Sequence, residues 1–317
     1  MLERDIDFVI LWVDGNDEKH KRLREQYLPN DIKRSVSDAE QSTGDNRFLQ
    51  HDELRFCLRS IKRYAPWYRK IWLVTDRQSP SFLDEALLEQ DNIYIVDHRD
   101  IFVGKESYLP TFNTRAIASQ IDNIPGLSEK FIYGNDDFML GADTSTSFFF
   151  DGHIPKIWGE WTNEGIEGGN TLFQQGMINA QRLFGQDCDQ YIHVSHGFQP
   201  ITKDIMSRLK TKYPKAFEIN LSYRFRHRSQ FIIESLVNHY CHYILNGKVL
   251  GTLPMVHFSF ELCRMGDKSK IDFLFKLLKN GERSMFCVNE YHSLVSRIPL
   301  VEKYLDNLCG PKLISEI

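Results

Sequence analysis

Five short stretches of the chain combine residue types that could do chemistry. The most pointed is Asn135-Asp136-Asp137, two adjacent carboxylates directly after the apolar run FIYG. Carboxylate oxygens are hard donors suited to Mg²⁺ or Mn²⁺, and such a cation bridges a diphosphate and offsets charge developing on phosphorus. Turns also favour Asn and Asp, but two neighbouring carboxylates repel each other unless a cation stands close. Val13-Asp14-Gly15-Asn16-Asp17 has a similar placing, after the apolar residues 8–13. Its backbone donors and carboxylates could hold a nucleotide's base, ribose or metal-linked phosphates, or could simply turn the chain.

The other three stretches carry cations, a histidine and one more pair of oxygen donors. Arg55 and Arg59 are spaced i, i+4 and so share a helix face away from Leu54 and Leu58. Two guanidinium forks there could clamp a diphosphate, or the pair could be a solvated face. His196, in HVSHGFQP, could act as a general base or donate to a phosphoryl oxygen. Arg224, Arg226, His227 and Arg228 crowd positive charge into one segment, and that self-repulsion favours an anion nearby. In FCVNE, Asn289 and Glu290 either cap and charge the start of the last helix or supply oxygen ligands to a cation.

These residues need elements to hold them. Residues 6–13, 70–75, 92–96 and 130–133 read as strands, rich in β-branched and aromatic residues and bounded by turn chemistry. Between them, 18–27, 52–65, 80–89 and 113–121 read as helices, with Leu54, Leu58 and Ile61 as one buried stripe. Residues 33–47 lack apolar periodicity and read as a loop. Alternation of this kind predicts an α/β fold with a mainly parallel sheet, in which ligands bind beyond the carboxyl ends of strands. Both acidic clusters sit at such ends.

The character changes after about residue 150. Residues 159–176 form a Gly- and Asn-rich loop that carries Trp161 and follows Trp158; these rings could stack on sugar or be part-buried. Helices are predicted over 202–212, 229–245, 268–278 and 289–305. The expected organisation is therefore an α/β nucleotide-binding half, 1–150, and a helix-rich half, 151–317, that completes the cleft as one catalytic unit.

Composition bounds the function. The 317 residues are 42% hydrophobic and 26% charged, values of an ordinary globular chain with room for a large core. Thirty-nine basic residues against 43 acidic ones give −4, without the basic field of a sequence-independent nucleic-acid binder. The apolar run at 8–13 is far shorter than the roughly 18 residues that suggest a membrane span, and Asp5 and Asp7 precede it. The expectation is a soluble cytoplasmic protein without a signal peptide. The six cysteines are scattered, with no C-x-x-C pair, and read as small buried hydrophobes.

Taken together, these stretches resemble the Stealth family of sugar-phosphate transferases, which includes bacterial capsule polymerases and the catalytic subunit of the animal lysosomal-enzyme phosphotransferase. DIDFVILWVDGND (5–17) is one matching block. A second, long block comprises DELRFCLRSIKRYAPWYRKIWLVTDRQSP (52–80) and LPTFNTRAIASQIDNIPGLSEKFIYGNDDFMLG (109–141). HGFQPITK (196–203) with SYRFRH (222–227), and FCVNE (286–290), follow in order.

The resemblance implies a GT-A-like core and a metal-dependent transfer of hexose-1-phosphate from a UDP-sugar to an acceptor hydroxyl, releasing UMP. It places Asp14, Gly15 and Asp17 at the nucleotide, and Arg55 and Arg59 near the diphosphate. Asp136 and Asp137 become catalytic or metal-linked carboxylates, His196 and Arg226 face the transferred phosphoryl group, and Asn289 and Glu290 join Asp137 at the metal, Mg²⁺ or Mn²⁺. Two departures stand out. Glu290 replaces the family's Asp, and His-Gly-Phe-Gln-Pro replaces its proline-rich histidine block. The implied setting is capsule or cell-surface polysaccharide synthesis, with a lipid-linked or oligosaccharide acceptor and peripheral contact with the inner face of the membrane. A glycosyltransferase releasing UDP and a non-catalytic glycan-binding protein are the alternatives.

Overall fold

The computed structural model describes residues 5–28, 42–44, 48, 51–185 and 189–317. The loop expected over 33–47 lies outside the described residues apart from Ser42–Gly44, as does Cys188. In chain order the strands are β1 (Ile6–Leu11), β2 (Ile71–Thr75), β3 (Ile93–Asp97), β4 (Lys130–Asn135), β5 (Phe138–Leu140), β6 (Phe150–Asp151), β7 (Ile154–Pro155), β8 (Glu160–Thr162), β9 (Tyr191–His193), β10 (Gln199–Thr202), β11 (Met255–Phe258) and β12 (Met285–Val288).

The main sheet runs β10-β4-β1-β2-β3, parallel throughout except for β10, which pairs antiparallel with β4. β1, β2 and the middle of β4 read as largely apolar runs because both faces of the sheet are covered. Phe8, Ile10, Leu73 and Ile132 point into one core, with Leu54, Leu58 and Ile61 from helix Glu53–Tyr64. Val9, Leu11, Val74, Phe131 and Tyr133 point into the other, beneath helices Lys203–Lys212 and Ile233–Leu245. The α/β expectation holds.

A second, three-stranded sheet follows in the order β11-β12-β5, with β12 parallel to β11 and antiparallel to β5. The chain leaves the main sheet at Asn135 and enters the second at Phe138. The two residues of that step are Asp136 and Asp137. The Val288 amide donates to the Asp137 carbonyl at 3.1 Å, so the tip of β12 is tied to the step.

The chain does not divide at residue 150. The C-terminal half supplies β10 to the main sheet and two of the three strands of the second, and the cores mix residues from both halves. The helix-rich half also holds β8 to β12, each only three or four residues long.

Several element boundaries also differ from the sequence reading. In place of a helix over 80–89 there is a 3₁₀ turn, Glu85–Asp91, capped by Asp84 and ended by Asn92 in the left-handed conformation (φ 53°). The helix expected over 113–121 is Thr114–Ala118 followed by a 3₁₀ turn, Ile121–Asn123. The last helix is two, Tyr291–Arg297 and Leu300–Cys309, broken at Pro299, which lacks the amide a continuous helix needs. Residues 159–176 hold β8 and the start of helix Leu172–Arg182, which a Thr171–Gln174 capping box opens.

Five cysteines are free and buried, in line with the hydrophobic reading. Among the described residues, no helix is long and apolar enough to cross a membrane.

Candidate active site

The carboxyl ends of β1 and β4 open into a cleft of about 230 Å³. Trp12 and Val13 continue β1 into its wall, Asn135–Asp137 continue β4, and Ser195–Gly197 enter from the segment between β9 and β10. Glu53, Thr114, Arg115, Tyr133, Arg226, Glu234 and Asn289 add further polar groups to the lining.

One side is acidic. Burial and the neighbouring Asp137 push the Asp136 carboxyl up to about 8. Burial raises Asp137 as well, opposed by the Cys287 thiol, by His257 and by the Asn289 amide. The thiol lies 3.4 Å and the amide 3.2 Å from Asp137 Oδ2. Glu53 is held well above the usual carboxylate range by burial and by Asp136, although the His51 amide donates to its Oε2 at 2.9 Å. Asp137 Oδ1 and Asn135 Oδ1 are buried without a hydrogen-bond partner. Among the described residues, no three His, Cys, Asp or Glu side chains form a metal cage. Crowded carboxylates that resist ionising, with two orphaned amide and carboxylate oxygens, are nevertheless a donor set that fits a hard divalent cation.

The cleft also carries basic and aromatic groups. His196 packs between the ring of Phe173, at 4.4 Å, and that of His257, stacked at 4.9 Å and 16°. His257 Nε2 donates to Asn289 Oδ1, and Asn289 Nδ2 donates to Asp137, so the histidine pair is coupled to the acidic side. Arg226 Nη2 donates to Thr114 Oγ1 at 2.7 Å. Burial lowers the Arg226 pKa, while Tyr133, Glu234 and Asp137 counter the effect. Arg115 is pushed down to about 9 by burial and by Arg226. Burial raises Glu234, against both guanidinium groups.

The structure thus brings Asp136, Asp137, His196, Arg226 and Asn289 into one cleft and leaves the other expected residues outside it. Asp17 caps helix Glu18–Gln26, accepting from the His20 amide at 2.7 Å. Asp14 Oδ1 accepts from the Asn16 amide at 2.8 Å. At Gly15 an added Cβ would stand 1.9 Å from the Phe48 carbonyl oxygen, so the backbone can pass only as glycine. The wall near this turn is made by Trp12, Val13, His20 and Phe48 rather than by the turn's own carboxylates.

Arg55 and Arg59 point to the C-terminal segment and do not line the cleft. Arg59 donates to Asp306 at 2.8 Å and through two nitrogens to Glu316, whose side chain is fully buried. Arg55 pairs with the same Glu316 at 3.2 Å and with Asp52 at 3.3 Å. A buried carboxylate demands cations, and these two answer it. Glu290 is likewise outside the cleft, held by Arg264 through Nε at 2.9 Å and Nη2 at 2.6 Å.

The basic segment resolves in the same way. Arg224 donates to the carbonyls of Tyr108 and Pro110, and Arg228 to Asn170, which leaves Arg226 to turn inward. Trp158 stacks on Phe148, and Trp161 packs against His242; neither lines the cleft. Sequence reasoning did not find Glu53, Arg115, Glu234 or His257. Glu53 looked like ordinary first-turn acidity, and the others carry no local signal.

Residues 4–31 match Stealth protein CR1, conserved region 1, and residues 47–157 match Stealth protein CR2, conserved region 2. The capsular polysaccharide phosphotransferase fcs1 of Haemophilus influenzae is 31% identical over 297 residues, which cover 91% of this chain and 79% of that protein. The exopolysaccharide phosphotransferase CpsY of Mycobacterium tuberculosis is 31% identical over 297 residues, 90% of this chain and 52% of its own length. SacB of Neisseria meningitidis serogroup A, a capsular polysaccharide phosphotransferase, is 34% identical over 255 residues, 78% of this chain and 44% of its own. The chain belongs to the Stealth family, the family of these polysaccharide phosphotransferases, and spans about half the length of the latter two.

Among solved structures, the galactosyltransferase LgtC aligns with a TM-score of 0.43 at 10% identity, covering 96% of this chain and 97% of that one. Mouse xyloside xylosyltransferase 1 aligns at 0.43 and 11%, covering 90% and 98%. These are loose likenesses.

Proposed function

We propose that the protein transfers hexose-1-phosphate or N-acetylhexosamine-1-phosphate from a UDP-sugar to a hydroxyl of a glycan acceptor, with release of UMP. The product is a phosphodiester in a capsule or cell-surface polysaccharide. The observation that carries this reading is the meeting of Asp136, Asp137, His196 and Arg226 within one cleft, in a chain related to polysaccharide phosphotransferases. Phosphoryl transfer asks for positioning and charge neutralisation more than for covalent chemistry, and this cleft offers both signs of charge.

His20, Phe48 and Phe112 form an aromatic corner of the cleft, with His20 edge-on to Phe112 at 5.4 Å. Burial depresses His20 and drives His98 down to about 4, so both imidazoles stay neutral and can meet an uncharged base. His20 Nδ1 and Thr111 Oγ1 are buried without partners, polar atoms that a uracil edge could satisfy.

Asp136, Asp137 and Asn135 would hold Mg²⁺ or Mn²⁺, with Asn289 beside them. A bound cation supplies Lewis-acid polarisation of the diphosphate and offsets its charge. Arg226, fixed by Thr114, presents its remaining N–H groups to the phosphoryl oxygens. His196 takes the proton of the acceptor hydroxyl, since carboxylates engaged with a cation are weak bases. The hydroxyl oxygen bonds to the phosphorus that bears the sugar, the bond from that phosphorus to the bridging oxygen breaks, and UMP leaves. The test is to incubate the protein with a panel of UDP-sugars, Mg²⁺ and glycan acceptors and to identify the nucleotide. UMP supports the proposal, UDP assigns glycosyl transfer, and neither product with a competent acceptor leaves a binding protein.

A further inference from the structure

Arg115 is 5% exposed and touches both walls that carry the basic side of the cleft. Its Nη1 donates to the His227 carbonyl at 3.1 Å, and its Nη2 donates to the Leu172 carbonyl. Those carbonyls belong to the residues next to Arg226 and Phe173, and Phe173 is the ring on which His196 rests. Thr114, the neighbour of Arg115, anchors the Arg226 guanidinium. On helix Leu172–Arg182, Gly176 makes the approach feasible, since a Cβ there would stand 3.1 Å from Arg115 Nη2 and 2.9 Å from Ile232 Cγ2.

We propose that Arg115 is the positioning residue of this site, setting the separation of His196 and Arg226 by holding their two supporting segments on one guanidinium fork. A planar fork with divergent donors can hold two carbonyls at once, whereas an ammonium on a flexible stem has no fixed second direction. The inference rests on the transfer reading given above, in which both groups act on one phosphoryl unit.

The test compares Arg115→Ala and Arg115→Lys, each with and without guanidinium ion at non-denaturing concentration, and Gly176→Ala, which keeps the guanidinium but crowds it. Arg115→Ala should lower kcat by about 100-fold, the scale of an ångström misplacement, while the KM for UDP-sugar and the affinity for UDP change little. Guanidinium should restore part of the loss, methylammonium should not, and Arg115→Lys should remain impaired. Wild-type kcat in Arg115→Ala, or a loss that follows the melting temperature and resists guanidinium, overturns the proposal. Histidine ring NMR signals are read in the same variants. If the wild-type protein releases no UMP, the transfer reading fails by itself and these signals decide. Shifts of both His196 and His227 in Gly176→Ala support the positioning role, and unmoved signals overturn it.

Discussion

The Asn289 side-chain amide donates to Asp137 Oδ2 across 3.2 Å, joining the end of β12 to the step between β4 and β5. With His257 on its other side, Asn289 links Asp137 of the acidic pair to the ring that stacks on His196.

This link makes Asn289 a sensitive position. Asn289→Ala should weaken Mg²⁺-dependent turnover by about 10- to 100-fold, the range typical of groups that orient a metal ligand, and Asp137→Ala should abolish it. Initial rates against Mg²⁺ concentration check both, with circular dichroism confirming the fold. Full activity in Asp137→Ala would remove that carboxylate from the mechanism.

The acidic pair also gives a pH signature. Asp136 holds its proton up to about 8 in the fold, against an ordinary value of 3.8. Between those values the folded state binds more protons than the unfolded one, so the metal-free protein should lose stability as pH rises from about 4 to about 8. Thermal melts in chelator should show that slope. It should flatten in Asp136→Asn, and Mg²⁺ should reduce it by favouring the ionised form.

Arg226→Lys keeps a cation but loses the fork that reaches Thr114 and phosphate together. A loss of about 100-fold in kcat/KM, or about 2.7 kcal/mol of transition-state binding, is expected. Near-normal rates in a steady-state assay would mean that charge alone suffices.

Arg59 and Glu316 belong to stability instead. Glu316→Ala leaves the Arg59 guanidinium, packed on Phe56, with Asp306 as its remaining carboxylate, and breaking a buried pair costs up to about 3–5 kcal/mol. Urea denaturation should show that loss, while kcat per folded molecule stays at the wild-type value.

Much of the main sheet was legible because strands covered on both faces are mostly apolar, as IDFVIL and IWLVT are apart from the buried Asp7 and Thr75. β5, β11 and β12 were not, since three or four residues such as FML or MVHF carry no period that separates strand from anything else. Asp136 and Asp137 were legible from their place after a strand. Arg55 and Arg59 were misread because their partner Glu316 is 257 residues from Arg59 in sequence, beyond any local pattern. The basic segment announced itself, yet which arginine turns inward depends on the carbonyls of residues 108 and 110 and on Asn170. Asn289 came through the motif, but its neighbour Glu290 answers to Arg264 on a separate helix.

The step between β4 and β5 is two residues long, and alternation resumes at once, with Phe138 and Leu140 in one core and Met139 in the other. An insertion or deletion of one residue there would turn every side chain of β5 to the wrong face. The acidic pair therefore sits where chain length cannot drift, even if side chains can. Changes in length are accommodated instead in loops outside the sheets, such as residues 163–171, where they disturb no strand register.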